Sequence, residues 1–100
     1  MTLFEDCKHE KLKMFPDYSS GGLWCARCGC EVVNPEVVPF DILKLLEGWV
    51  VWWEYLVEDK EESIHATEYV KSLFNDNGAR LAKMVNAYIP CEYVEDGLEG

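Results

Sequence analysis

Basic residues are scarce in this chain: nine lysines and arginines stand against nineteen aspartates and glutamates, a formal net charge of −10 in 100 residues. Such a surface repels nucleic acid and anionic membranes over a Debye length of about 8–10 Å at physiological salt, and attracts basic partners instead. Long hydrophobic runs are missing as well. The longest apolar stretches, Ile42–Leu46 and Trp49–Trp53, are short and are interrupted by Lys44, Glu47 and Gly48, so no membrane-spanning helix is expected. The segment Met1–Asp6 has neither a basic nor an apolar stretch, so a signal peptide is not expected either. There is no internal repeat, no low-complexity tract and no nucleotide-binding, hydrolase or nucleophile motif, which argues against an enzyme. The cysteines number five. An odd count without an export signal points to reduced thiols that serve as metal ligands, and to the cytoplasm.

What is present is apolar enough to fold. With 49% hydrophobic and 13% aromatic residues, the chain is unlike a disordered one, and its length suits a single small domain. The charge is unevenly placed. Residues 1–30 hold four basic and four acidic groups, which leaves five basic and fifteen acidic groups for residues 31–100.

The turn-rich segment from residue 1 to 33 is expected to form a β-hairpin. Lys11–Phe15 alternates polar and apolar residues, Pro16–Gly22 is a turn cluster, and Leu23–Cys25 returns. Glu31–Val33 is a candidate third strand. After the proline-containing connector Asn34–Pro39, an amphipathic helix is predicted over Pro39–Asp59. Its apolar residues are Ile42, Leu45, Leu46, Trp49, Trp53 and Leu56, flanked by Leu43, Val50, Trp52 and Val57. That arc spans about half the circumference, wider than the roughly 100° one neighbour needs, and so predicts two packing partners. A second helix is expected from about Ser63 or Thr67 to Ile89. Its stripe would be Val70, Phe74, Asn77, Leu81, Met84 and Tyr88, ended by Pro90. Asn75-Asp76-Asn77-Gly78 argues for a break in this helix and the unbroken rhythm argues against one. The continuous helix is preferred, with Gly78 lying close to a tryptophan of the first helix. Residues 90–100 are expected to be an extended tail, with Cys91–Glu95 a candidate short strand. The expected architecture is therefore α+β: a zinc-bound N-terminal hairpin packed on an antiparallel two-helix hairpin spanning residues 39–89.

Cys25-Ala26-Arg27-Cys28-Gly29 carries the strongest chemical signal. Two cysteines three apart in a tight turn can reach one ion, and Gly29 supplies a positive φ without steric cost. Cys7-Lys8-His9 supplies a second donor pair, and the intervening residues suit a hairpin that brings the pairs together. Cys7, His9, Cys25 and Cys28 are thus the expected ligands of one structural zinc ion. Cys30 competes with His9 for the fourth place, and Cys91 is a distant reserve. From Cys7 to about Val33 the chain resembles the zinc-ribbon and zinc-knuckle group. Cys25, Cys28 and Gly29 match its Cys-x-x-Cys-Gly knuckle, whereas the Cys7–His9 spacing is shorter than usual. The resemblance implies two ligand-bearing turns clamping one zinc. The whole chain also resembles small proteins carried by bacteria and their phages.

Four protein ligands leave no open position for water, which is the structural pattern. Trp24 is expected to pack against the first helix and join the two halves. Trp49, Trp52 and Trp53 are expected in the core, since stacking platforms come with basic grooves. Glu47, Glu54, Glu58, Asp59, Glu61 and Glu62 form a candidate acidic docking surface. The favoured function is a non-enzymatic interaction or regulatory module engaging a protein with a basic surface, with mimicry of nucleic-acid charge as its sharper form. A monomer is preferred, with a homodimer through the first helix as the alternative. The other readings are a nucleic-acid-binding zinc-ribbon accessory protein using Lys8, Lys11, Lys13 and Arg27, which the net charge disfavours, and a zinc-dependent enzyme with Glu10 as base.

Overall fold

The computed structural model describes residues 8–58 and 68–95. Its elements run β1 (Leu12–Met14), β2 (Leu23–Cys25), α1 (Phe40–Glu58), α2 (Glu68–Asn86) and β3 (Cys91–Tyr93), an α+β architecture. The expected hairpin forms: β1 and β2 pair antiparallel, with Leu12 opposite Cys25 and Met14 opposite Leu23. The tail does more than extend. β3 lies against the other edge of β1 in parallel, with Leu12 opposite Cys91 and Met14 opposite Tyr93, so the sheet order is β2-β1-β3. Bonds from Leu12 N–H to the Pro90 carbonyl and from Val94 N–H to the Met14 carbonyl, 2.8 and 2.9 Å, lock that register. The third strand expected at Glu31–Val33 shrinks to a single bridge between Trp24 and Glu31, because Pro35 follows and the chain turns away on Asn34. The Asn34 carbonyl accepts from Val37 and Val38, and its side chain accepts from Glu36.

The strands alternate as half-buried strands should. Leu12, Met14, Leu23 and Cys25 fill the core face, while Lys13 and Trp24 lie on the other face. This alternation corrects the expectation for Trp24. It does not join the sheet to α1; its ring stacks on Phe15 at 5.0 Å and its indole N–H donates to the Phe15 carbonyl at 3.0 Å.

α1 begins where Pro39 offers its carbonyl to Ile42 and Leu43, with Asp41 in the first turn favourably placed at the positive end of the helix dipole. Its wide apolar arc finds two partners within the chain. Towards α2, Trp49 stacks on Phe74 at 4.7 Å and donates its indole N–H to the Phe74 carbonyl, and Trp52 meets the same ring edge-on at 5.2 Å. Towards the hairpin, Tyr18 packs edge-on against Trp53, and Val50 lies so close to Gly22 that a Cβ there would sit 3.1 Å from it. One member of the arc is left over: Leu45 is 52% exposed.

α2 is continuous through Asn75–Gly78, and the reason lies in what the helix seats. Asn75 and Asn77 turn their side-chain amides back onto the carbonyls of Lys71 and Leu73, so they satisfy local backbone acceptors without interrupting the helix. The Asn75 side-chain oxygen Oδ1 accepts from the Tyr93 hydroxyl, and Gly78 makes room for the Tyr93 ring: a Cβ at that position would lie 2.6 Å from two ring atoms. The aromatic that Gly78 accommodates is therefore Tyr93 of β3, not a tryptophan of α1. The buried face of α2 is Phe74, Gly78, Leu81, Ala82 and Val85, rotated away from the expected stripe, so Met84 and Tyr88 are 40% and 58% exposed. The helix ends at Asn86, short of Ile89. There the Asn86 side chain accepts from Cys91 N–H at 2.9 Å and donates to the Ala82 and Cys91 carbonyls, tying the helix end to the start of β3.

Candidate metal centre

The site is built at the end of the hairpin. Cys25 closes β2, and the chain then folds into a knuckle. Ala26 N–H donates to the Lys11 carbonyl, Gly29 N–H to the Cys25 carbonyl, and Cys25 N–H to the Cys30 carbonyl, at 2.8, 3.0 and 2.8 Å. Gly29 has φ +80°, the left-handed turn its sequence position predicts. This loop directs the N–H groups of Arg27 and Cys28 at the Cys25 sulfur, each 3.4 Å away. Two backbone dipoles aimed at one sulfur offset negative charge on it, the arrangement a thiolate ligand needs.

His9 enters from the irregular segment that leads into β1. Its φ is +50°, a left-handed conformation that side chains other than glycine adopt at a cost of about 1–2 kcal/mol. That conformation sets its Nδ1 3.5 Å from the Cys28 sulfur. The ligand atoms of His9, Cys25 and Cys28 all lie within 4.8 Å of one another. A tetrahedral zinc with Zn–S near 2.3 Å and Zn–N near 2.0 Å separates sulfur from nitrogen by about 3.5 Å and sulfur from sulfur by about 3.8 Å. The His9–Cys28 separation matches the first figure, and the three donors lie close enough together to hold a metal ion. Cys25 is buried at 3% exposure, whereas His9 and Cys28 are half-buried, a wall on one side and an approach on the other.

No family model matches the chain, and no curated protein matches it significantly. The site therefore stands on its geometry.

Of the four expected ligands, three converge, and Cys7 lies outside the described residues. His9, not Cys30, joins Cys25 and Cys28. Cys30 contributes its backbone carbonyl to the knuckle. Cys91 is on the same sheet row as Cys25, but β1 separates them, with Leu12 between. Two strand spacings put their backbones about 10 Å apart. Burial first, and the adjacent Glu92 carboxylate second, push the Cys91 thiol up to about 11 from 9.0, so at neutral pH it is a protonated core residue.

The acidic residues are placed less simply than a solvated helix face. Glu47 is exposed and pairs with Lys44 at 3.2 Å. Glu54 accepts from Ser19 N–H at 2.7 Å, bracing the hairpin turn against α1. Both border a concavity of about 400 Å³ whose far side is formed by Glu31 and Val33. Glu31 accepts from Gly21 N–H at 2.7 Å. It belongs to this acidic rim although it is remote from α1 in sequence, and only the path of the chain after the knuckle could have revealed it. The side chain of Glu58, with Asp59, Glu61 and Glu62, lies outside the described residues. No helix among the described residues is long and apolar enough to cross a membrane.

Proposed function

We propose that this chain is a non-enzymatic zinc-binding interaction module, in which one structural zinc ion held by Cys7, His9, Cys25 and Cys28 clamps the hairpin. The convergence of His9, Cys25 and Cys28 carries the reading. A third thiolate two residues before His9 would close the tetrahedron and leave no position for substrate water, which is why a structural role is favoured over catalysis. The motive is energetic. The hairpin strands are three residues each, too short to hold themselves, and metal binding contributes roughly 10 kcal/mol to folding in small zinc modules.

The working face in this reading is the acidic rim of Glu31, Glu47 and Glu54 around a concavity that Val33, Val50 and Val51 also line. Its chemistry suits a lysine or arginine of a basic partner protein: the carboxylates meet the head group and the valines meet the stem. The zinc knuckle and this rim share the segment between Ser19 and Val33, so metal loss should disorganise both. Nucleic-acid binding through Lys8, Lys11, Lys13 and Arg27 is the competing reading. All four are exposed, and a salt-sensitive association with DNA or RNA would favour it.

The test has two arms. Cobalt titrated into metal-free protein should give the intense visible bands of a tetrahedral thiolate site, lost in Cys25→Ser. A partner captured from the host by the wild-type chain should be released by salt and lost in Glu31→Gln/Glu47→Gln, where glutamine keeps each hydrogen-bond acceptor and removes only charge. Retention of the partner by that variant sinks the docking reading; absence of tetrahedral cobalt bands sinks the zinc reading.

A further inference from the structure

A second concavity, of about 430 Å³, lies between α1 and α2, separate from the metal centre and from the acidic rim. Its walls are apolar. Leu45 and Met84 line it while 52% and 40% exposed, and Trp49 and Trp52 add aromatic lining. The volume is in the range of small-molecule sites, which are typically mostly apolar with a few polar groups at the margin. Here the polar groups are Asn77 and Arg80. Among the described residues the one ion pair is Lys44–Glu47, so Arg80 has no carboxylate partner there despite the acidity of the chain.

Gly48 supplies an independent observation. It sits inside α1 and lines this concavity. Glycine in a helix interior lowers the folding equilibrium constant about fivefold relative to alanine. At Gly78 that cost has a visible cause, since Tyr93 occupies the space a Cβ would fill. At Gly48 a Cβ would meet nothing within 4 Å. Among the described residues no atom uses the space, and a glycine there costs helix stability.

We infer that the groove between α1 and α2 is a binding site for a small aromatic or apolar carboxylate. The flat apolar body would lie over Gly48 against Trp52 and Leu45, and the carboxylate would reach Arg80, with the Asn77 side chain beside it. The cation selects the charge of the ligand, and the open glycine admits its ring. This inference does not depend on the zinc reading or on the acidic rim.

The test uses the full chain and two probes of equal shape, 2-naphthoate and the uncharged 2-naphthamide. The readout is the tryptophan indole N–H signals in nitrogen–proton NMR spectra. Saturable shifts of the Trp49 and Trp52 signals, and not of Trp24, are expected with a Kd of about 1 mM or tighter for naphthoate, given ordinary affinity per atom. Naphthamide should bind about three- to fivefold more weakly, as an exposed ion pair allows, and Arg80→Gln should equalise the two. Gly48→Leu should abolish binding. Gly48→Ala should weaken it while raising the folding equilibrium constant about fivefold, so loss of binding is separated from loss of fold. No saturable shift up to about 10 mM, ten times the expected Kd, overturns the proposal. So does binding that Gly48→Leu leaves intact, or equal affinity of wild type for both probes.

Discussion

Replacing Gly78 by alanine should destabilise the protein, although alanine is the better helix former. Propensity alone would stabilise α2 by about 1 kcal/mol. Against this, the new Cβ would lie 2.6 Å from two Tyr93 ring atoms and 2.7 Å from its hydroxyl oxygen. Optimal non-bonded carbon contacts are about 3.5–4.0 Å, so the ring or the helix must give way by roughly 1 Å. Tyr93 is poorly placed to yield. Its hydroxyl is held by Asn75, its ring meets Trp49 edge-on at 6.0 Å, and its backbone belongs to the β1–β3 ladder. Overpacking costs about 1–3 kcal/mol, and losing the Asn75 bond adds about 1 kcal/mol. The net expectation is a loss of about 1–3 kcal/mol from these terms. Urea unfolding followed by circular dichroism reads this directly, with an unchanged m-value as the check on two-state behaviour. The cycle with Tyr93→Ala isolates the cause: once the ring is gone, Gly78→Ala should become stabilising. A Gly78→Ala protein as stable as wild type would refute the close-approach reasoning.

Other perturbations follow from the same contacts. Chelation of the metal should lower the ellipticity of the aromatic bands by releasing Trp24 from Phe15, with α1 and α2 losing less; an unchanged near-ultraviolet spectrum would count against a structural ion. Cys30→Ala should leave a cobalt spectrum unaltered whereas His9→Ala should change it, and the reverse pattern would exchange the two as ligands. The Cys91 thiol is raised from 9.0 to about 11, so its contribution to stability is complete below pH 9 and is lost as the pH rises through about 11. The urea midpoint of the metal-loaded wild type should therefore fall more steeply over that window than that of Cys91→Val, and parallel profiles would contradict it. Trp24→Phe should lose the indole bond to the Phe15 carbonyl at a cost of about 1 kcal/mol and leave the α1–α2 contact intact, as the unshifted Trp49 indole signal would report.

Much of the candidate metal centre was legible because its chemistry is local. The spacing of Cys25 and Cys28 with Gly29 behind them specifies a knuckle, and a hairpin of this length returns His9 to it. The two helices were legible for the same reason, since apolar residues at three- and four-residue spacing need no knowledge of a partner. What escaped was non-local. β3 is a three-residue strand paired in parallel with the start of the chain, and so short a segment has no periodicity to declare a partner. The α2 stripe was misplaced because hydrophobicity favoured Met84 and Tyr88 over Gly78 and Ala82. In the fold the small residues are buried, and Gly78 is the seat for Tyr93. Trp24 was a different kind of miss. Two-residue alternation from the buried Cys25 already assigned it to the opposite face, and its bulk outweighed that signal. Glu31 joined the acidic rim through chain path alone.

The central claim is that His9, Cys25 and Cys28, completed by Cys7, hold one zinc ion with no open position. Zinc-edge X-ray absorption on the purified full chain tests it most directly. The account predicts one zinc per chain with about three sulfur neighbours near 2.3 Å and one nitrogen near 2.0 Å. A folded protein that retains no zinc, or a shell rich in oxygen with sulfur missing, would contradict it.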